Sequence, residues 1–175
     1  MQKIDKAYKG YTKFSNIGLI LGLLGVYLMM LVIVLDVVTR NFFNLSITGI
    51  FEFVQYYLLP LSIFPVFGYA YSTGVMPRIT MLIDKFSKKT QHIASVLVLI
   101  VNIILFTLMA WFSLLYAIQS TKDKAFVIIG MNNIPLWPLY YLVVLGFFLI
   151  IAESVFSLIQ NIRTKGINIE FRAED

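Results

Sequence analysis

Four long apolar stretches alternate with short charged joints along the 175 residues, and this alternation dominates the pattern. The stretches cover about 14–36, 50–74, 93–119 and 136–160. About 20 apolar residues in helical conformation cross a bilayer core, so each stretch predicts a transmembrane helix. The second is the most broken. Phe53 to Pro77 carries no charge, yet Pro60 and Pro65 interrupt it and Gly68, Gly74 and Pro77 close it. Each proline removes a backbone donor, which lipid tolerates only where protein compensates. A kinked helix packed against its neighbours is expected there. After it, Ile79, Leu82, Ile83 and Phe86 recur at steps of three and four, with Arg78, Asp84, Lys85, Lys88 and Lys89 mainly between them. That spacing predicts a short amphipathic helix over about 78–89, lying in the interface against anionic lipid. A plain basic loop is the competing reading. The expected fold class is all-α: an integral membrane protein of four transmembrane helices, plus this interfacial helix after the second.

Smaller marks refine the picture. Gly18, Gly22 and Gly25 share one face of the first helix, with Ser15 one turn earlier, and small residues at this spacing let another helix approach closely. Glycine is also frequent in membrane helices for no such reason. Asp36 and Arg40 stand four residues apart, a spacing at which opposite charges meet on a helix. Glu52, across an uncharged link, is placed to share Arg40. Either the three form a charge cluster at the turn, or each is solvated among headgroups. Asn102 is the main polar residue of the third span, and cross-helix hydrogen bonding suits it better than substrate contact. Trp111 and Tyr116 suit the outer interface, and His92 an interfacial position. The piece from Ala125 to Ile134, broken by Gly130, Asn132 and Asn133, is read as a loop or re-entrant shoulder. Pro135 and Pro138 flank Trp137 at the start of the fourth span. Glu153 is expected near the end of that span, reaching the headgroups or pairing with Arg163.

Composition narrows the function. With 59% hydrophobic residues and a mean hydropathy of +0.85, the chain is one membrane domain with no room for a separate soluble one. Cysteine is absent and histidine occurs once, which removes thiol catalysis, thiolate metal sites and a histidine-based metal centre. The carboxylates are scattered singly, so paired acid–base work has no evident site. No catalytic residue, metal or cofactor is expected, and nucleic acid is not an expected partner. Of the 14 Lys and Arg residues, 11 fall in the N-terminal lead, the joint after the second span and the C-terminal tail. The remaining three are Arg40, Lys122 and Lys124. The positive-inside rule then places both termini in the cytoplasm. The basic start followed by a long apolar run is read as an uncleaved first span.

Several short motifs fall in a suggestive order. They are Thr39-Arg40-Asn41-Phe42-Phe43, Glu52 opening the second span, Gly68-Tyr69-Ala70-Tyr71 with Gly74 before Arg78-Ile79, and Ile134-Pro135-Leu136-Trp137-Pro138 with Gly146. In this layout the chain resembles the small permease subunit of tripartite ATP-independent periplasmic (TRAP) transporters. Met76-Pro77 stands where other members often carry a histidine, so no role for that residue carries over. The resemblance implies a non-catalytic scaffold for a large permease subunit, with a periplasmic substrate-binding protein as second partner. It also implies sodium-coupled uptake of an organic acid, of the sialic acid or C4-dicarboxylate class. Gly18, Gly22, Gly25, Pro60, Pro65 and Asn102 are then candidates for helix packing or the partner interface, and Arg40, Lys122, Asp123 and Lys124 for the docking face. Two other classes stay open. A self-sufficient small dimeric exporter would need an ionisable group in its spans, which only Glu52 or Glu153 supplies. A membrane enzyme would need clustered acids or histidines.

Overall fold

A computed structural model of the chain describes residues 2–45, 48–73 and 88–164. Helix α1 spans Gln2–Phe43, well beyond the apolar run at both ends, because no proline interrupts it before Asn44. Asn44 turns the chain out with φ +51, a left-handed conformation that asparagine tolerates. Helix α2, Ile50–Ser72, is a composite. A short α-helical piece, Ile50–Phe53, leads into a π-helical turn at Val54–Leu58. An α-helical turn at Leu59–Ile63, a 3-10 turn at Phe64–Val66 and a last α piece, Phe67–Ser72, complete it. The change of register falls at the two prolines. Pro60 and Pro65 each lack the donor for the carbonyl four residues back, and wider or tighter turns accommodate the gap.

Helix α3 spans Lys88–Lys122 and helix α4 spans Trp137–Thr164. Lys88 and Lys89 therefore open α3 instead of closing an interfacial helix. Arg78, Leu82, Lys85 and Phe86 of that expected helix lie outside the described residues. Between α3 and α4 the expected loop or shoulder is instead an antiparallel hairpin, β1 Phe126–Ile129 and β2 Asn132–Pro135. Gly130 opens its two-residue turn at φ +62, the left-handed value that tight hairpin turns require. Phe126 and Ile128 face outward while Val127 and Ile129 turn inward, the two-residue period of a strand. The fold class stays all-α, with this hairpin as a small addition.

The helices pack in the order α1, α2, α4, α3, and α3 with α4 forms the most extensive pair. In the most apolar windows of α1, α2 and α3 only 17% of residues are buried within the chain, against 39% in α4. Helix α4 is thus the inner member, and α1 and α3 leave broad apolar sides uncovered. Leu99, Ala110 and Ala117 of α3 and Val144 and Ile150 of α4 are among the buried apolar residues.

Candidate functional site

Four features of this array stand out: two seams, a clamped end and a charged cavity. The first seam is the glycine face of α1. Gly18 lies against the carbonyl of Pro65, Gly22 against Val66 and the Ser62 carbonyl, and Gly25 against Ser62. A Cβ at Gly22 would stand 2.6 Å from the Ser62 oxygen, closer than non-bonded atoms pack. The three glycines therefore meet the proline-broken stretch of α2 itself. Pro65 is buried at this contact and Pro60 half-buried one turn earlier. Gly68 continues the seam, with the Tyr11 hydroxyl, Ser15 and Leu149 around it.

The second seam is polar, and sequence reasoning missed it. Glu153, expected to reach the headgroups or Arg163, is wholly buried in α4 and accepts a hydrogen bond from the Tyr8 hydroxyl at 3.4 Å. Tyr11 donates to the Leu149 carbonyl at 3.0 Å, and Phe156 packs against both tyrosine rings. One turn and two turns beyond Glu153, Ser157 and Asn161 are also fully buried. Asn161 Nδ2 donates to Ser95 Oγ of α3 at 3.0 Å. The signal was present in the sequence: Glu153, Ser154, Ser157 and Asn161 share one side of an otherwise apolar helix. The partners Tyr8 and Tyr11 lie in residues 1–13, ahead of the apolar run, so the hydrophobic pattern alone does not bring them to α4. Asn102, by contrast, hydrogen-bonds across helices through Nδ2 to the Tyr71 hydroxyl at 3.1 Å.

At the opposite end the hairpin is clamped on the start of α2. Gly130 packs on Thr48 and Gly49, and the Tyr57 hydroxyl donates to the Pro135 carbonyl. Met131, at the tip, is 99% exposed. Lys122, Asp123 and Lys124 are exposed at the base of the hairpin, where Asp123 accepts from Gln119 Nε2 at 3.1 Å. The Arg40 guanidinium bonds Asp36 Oδ2 at 2.6 Å. Glu52 joins these two in lining one cavity of about 490 Å³, yet forms no ion pair among the described residues. Proximity of the three charges, without a shared bond to Glu52, is what the structure gives.

The helical array agrees with a comparison of the sequence with protein families. The family described as "Tripartite ATP-independent periplasmic transporters, DctQ component" matches residues 29–164. The chain belongs to this DctQ family. The match opens inside α1 and closes at the end of α4, so it takes in the broken helix, the hairpin and the charged cavity. Gly18, Gly22, Gly25 and the two tyrosines of the polar seam lie before it. No curated protein and no solved structure matches the chain. As a DctQ component it is a small multi-pass membrane subunit of a TRAP transporter. The family brings with it, in general terms, a large permease and a substrate-binding protein as partners.

Proposed function

We propose that this DctQ component is a non-catalytic scaffold. It holds the large permease subunit in the inner membrane, with both of its own termini in the cytoplasm. It also contributes to the surface on which a periplasmic substrate-binding protein docks, for sodium-coupled uptake of an organic acid. Sialic acids and C4-dicarboxylates are the substrate classes in view. The observation that carries the reading is the uneven burial of the helices: 39% of the most apolar window of α4 is buried within the chain, against 17% in α1, α2 and α3, and α1 and α3 leave long apolar sides open. Membrane helices associate by close packing and not by escape from water, so such sides suit a protein partner of matching shape. Arg40, Lys122, Asp123 and Lys124 stand at the hairpin end as the charged part of the docking face.

Reconstitution tests this directly. The purified chain in vesicles should move no organic acid under a sodium gradient, and co-expressed with its large partner it should co-purify at a fixed ratio. A second reading, the self-sufficient dimeric exporter, draws on Glu153, an ionisable group buried within a span. Transport by the chain alone that disappears in Glu153→Gln would replace the scaffold with that exporter.

A further inference from the structure

The cavity between the end of α1 and the start of α2 has a composition that packing alone does not explain. Asp36, Arg40 and Glu52 line it together with Thr48, Gly49 and the apolar Ile33, Ile50, Phe51 and Val54. Asp36 Oδ2 holds Arg40, whereas Asp36 Oδ1 is buried with no hydrogen-bond partner among the described residues. A buried carboxylate oxygen left in this state is costly, and a donor is its natural complement. We propose that this cavity binds the headgroup of an aminophospholipid, with its primary ammonium between Asp36 and Glu52 and its phosphate beside Arg40.

The argument is one of charge and position. A primary ammonium carries three donors and no acceptor, which suits a cavity lined by two acidic residues, Asp36 and Glu52. The Arg40 side chain is 63% exposed, so its guanidinium is open to a phosphate while it keeps its bond to Asp36. The cavity volume falls within the roughly 300–1,000 Å³ of small-molecule sites. Its apolar wall leads onto exposed apolar surface, since Phe51 is 74% exposed and Ile33 about half. The site also lies at the ends of two spans, where headgroups are found. A partner's lysine would satisfy the carboxylates but bring no anion for Arg40. An anionic glycerol headgroup would face two carboxylates with no cation of its own. A choline headgroup has no N–H to donate. The zwitterion with a primary amine matches all three side chains, and this assignment stands apart from the scaffold reading.

The test uses the full chain, purified in mild detergent and stripped of lipid. Phosphatidylethanolamine, phosphatidylcholine and phosphatidylglycerol with identical acyl chains are titrated, with binding read by native mass spectrometry and by thermal unfolding. Phosphatidylethanolamine should bind about tenfold more tightly than either of the others, the value of one charge-assisted hydrogen bond. Glu52→Gln should reduce that preference to about twofold or less with the helical circular dichroism unchanged, and Asp36→Asn should do the same. Lys122→Gln, away from the cavity, should keep the preference. Equal binding of the three lipids, or a preference untouched by Glu52→Gln, overturns the assignment. So does a chain without lipid preference whose Glu52→Gln variant releases the co-expressed large subunit, which would give the cavity to a basic side chain of the partner.

Discussion

Replacing Gly22 with leucine tests the seam on which α1 depends. The new Cβ would lie 2.6 Å from the Ser62 carbonyl oxygen and also meet the Val66 side chain. Val66 can turn away, but the Ser62 carbonyl belongs to the helix and cannot. The only relief is for α1 to move off α2, which also opens the contacts of Gly18 with Pro65 and of Gly25 with Ser62. Overpacking of this kind costs about 1–3 kcal/mol. At about 1.4 kcal/mol per tenfold, that is roughly a 5- to 150-fold loss in the association of α1 with the rest. Gly10→Leu is the control, because nothing lies within 4 Å of a Cβ there. Both variants would be unfolded reversibly in mixed micelles by rising SDS, followed by circular dichroism. Gly22→Leu should unfold at clearly lower SDS, with Gly10→Leu close to the parent chain. Indistinguishable curves for the two variants would refute the seam as a packing device.

Three further outcomes are expected. Removing the Asn102–Tyr71 hydrogen bond by Asn102→Ala or Tyr71→Phe should destabilise by about 0.6 kcal/mol, the mean for such bonds in membrane proteins, and a double-mutant cycle in the same SDS assay should show the two effects to be non-additive. Gly130→Val forces a β-branched residue to φ +62, with its Cβ 3.0 Å from the Thr48 carbonyl, so amide exchange in residues 126–135 should accelerate by about tenfold or more; unchanged exchange would mean that the turn does not need glycine. In the cysteine-free chain, Met131→Cys should react with an impermeant thiol reagent added from the periplasm and Lys9→Cys should not, and the reverse labelling would invert the proposed orientation.

How much of this was legible in the sequence depends on which interaction fixed each element. The four helices follow from apolar length alone, since lipid leaves the backbone no other way to satisfy itself. The broken path of α2 was readable from Pro60 and Pro65, because a missing donor acts locally. The hairpin was not read, although Phe126 to Ile129 is a β-rich run and Gly130-Met131 a two-residue turn. Its apolar residues resembled those of the spans, and periodicity over so few residues does not separate strand from shoulder. Glu153 failed for a different reason. Its partner Tyr8 lies 145 residues earlier, and only the full extent of α1, Gln2–Phe43, brings that hydroxyl to α4. The apolar run marks where a helix crosses lipid, not where it stops.

The two ends of the array are held by different chemistry, and this bears on what a partner would meet. At the end with the termini, Tyr8, Glu153, Asn161 and Ser95 tie α1 and α3 to α4 through buried polar bonds. At the other end, Gly130 on Thr48 and Tyr57 on Pro135 fasten the hairpin to α2. Between them, the outer sides of α1 and α3 carry mostly apolar residues such as Leu23, Leu24, Met30, Ile104, Leu108 and Met109, and the exposed residues there carry no charge among those described. Charge therefore selects partners only at the ends, where it governs approach more than lasting affinity. Along the middle, selection falls to shape, because lipid is as apolar as leucine and only fit distinguishes a helix from an acyl chain. On the proposed scaffold reading, α1 and α3 would therefore hold a neighbour by their contour.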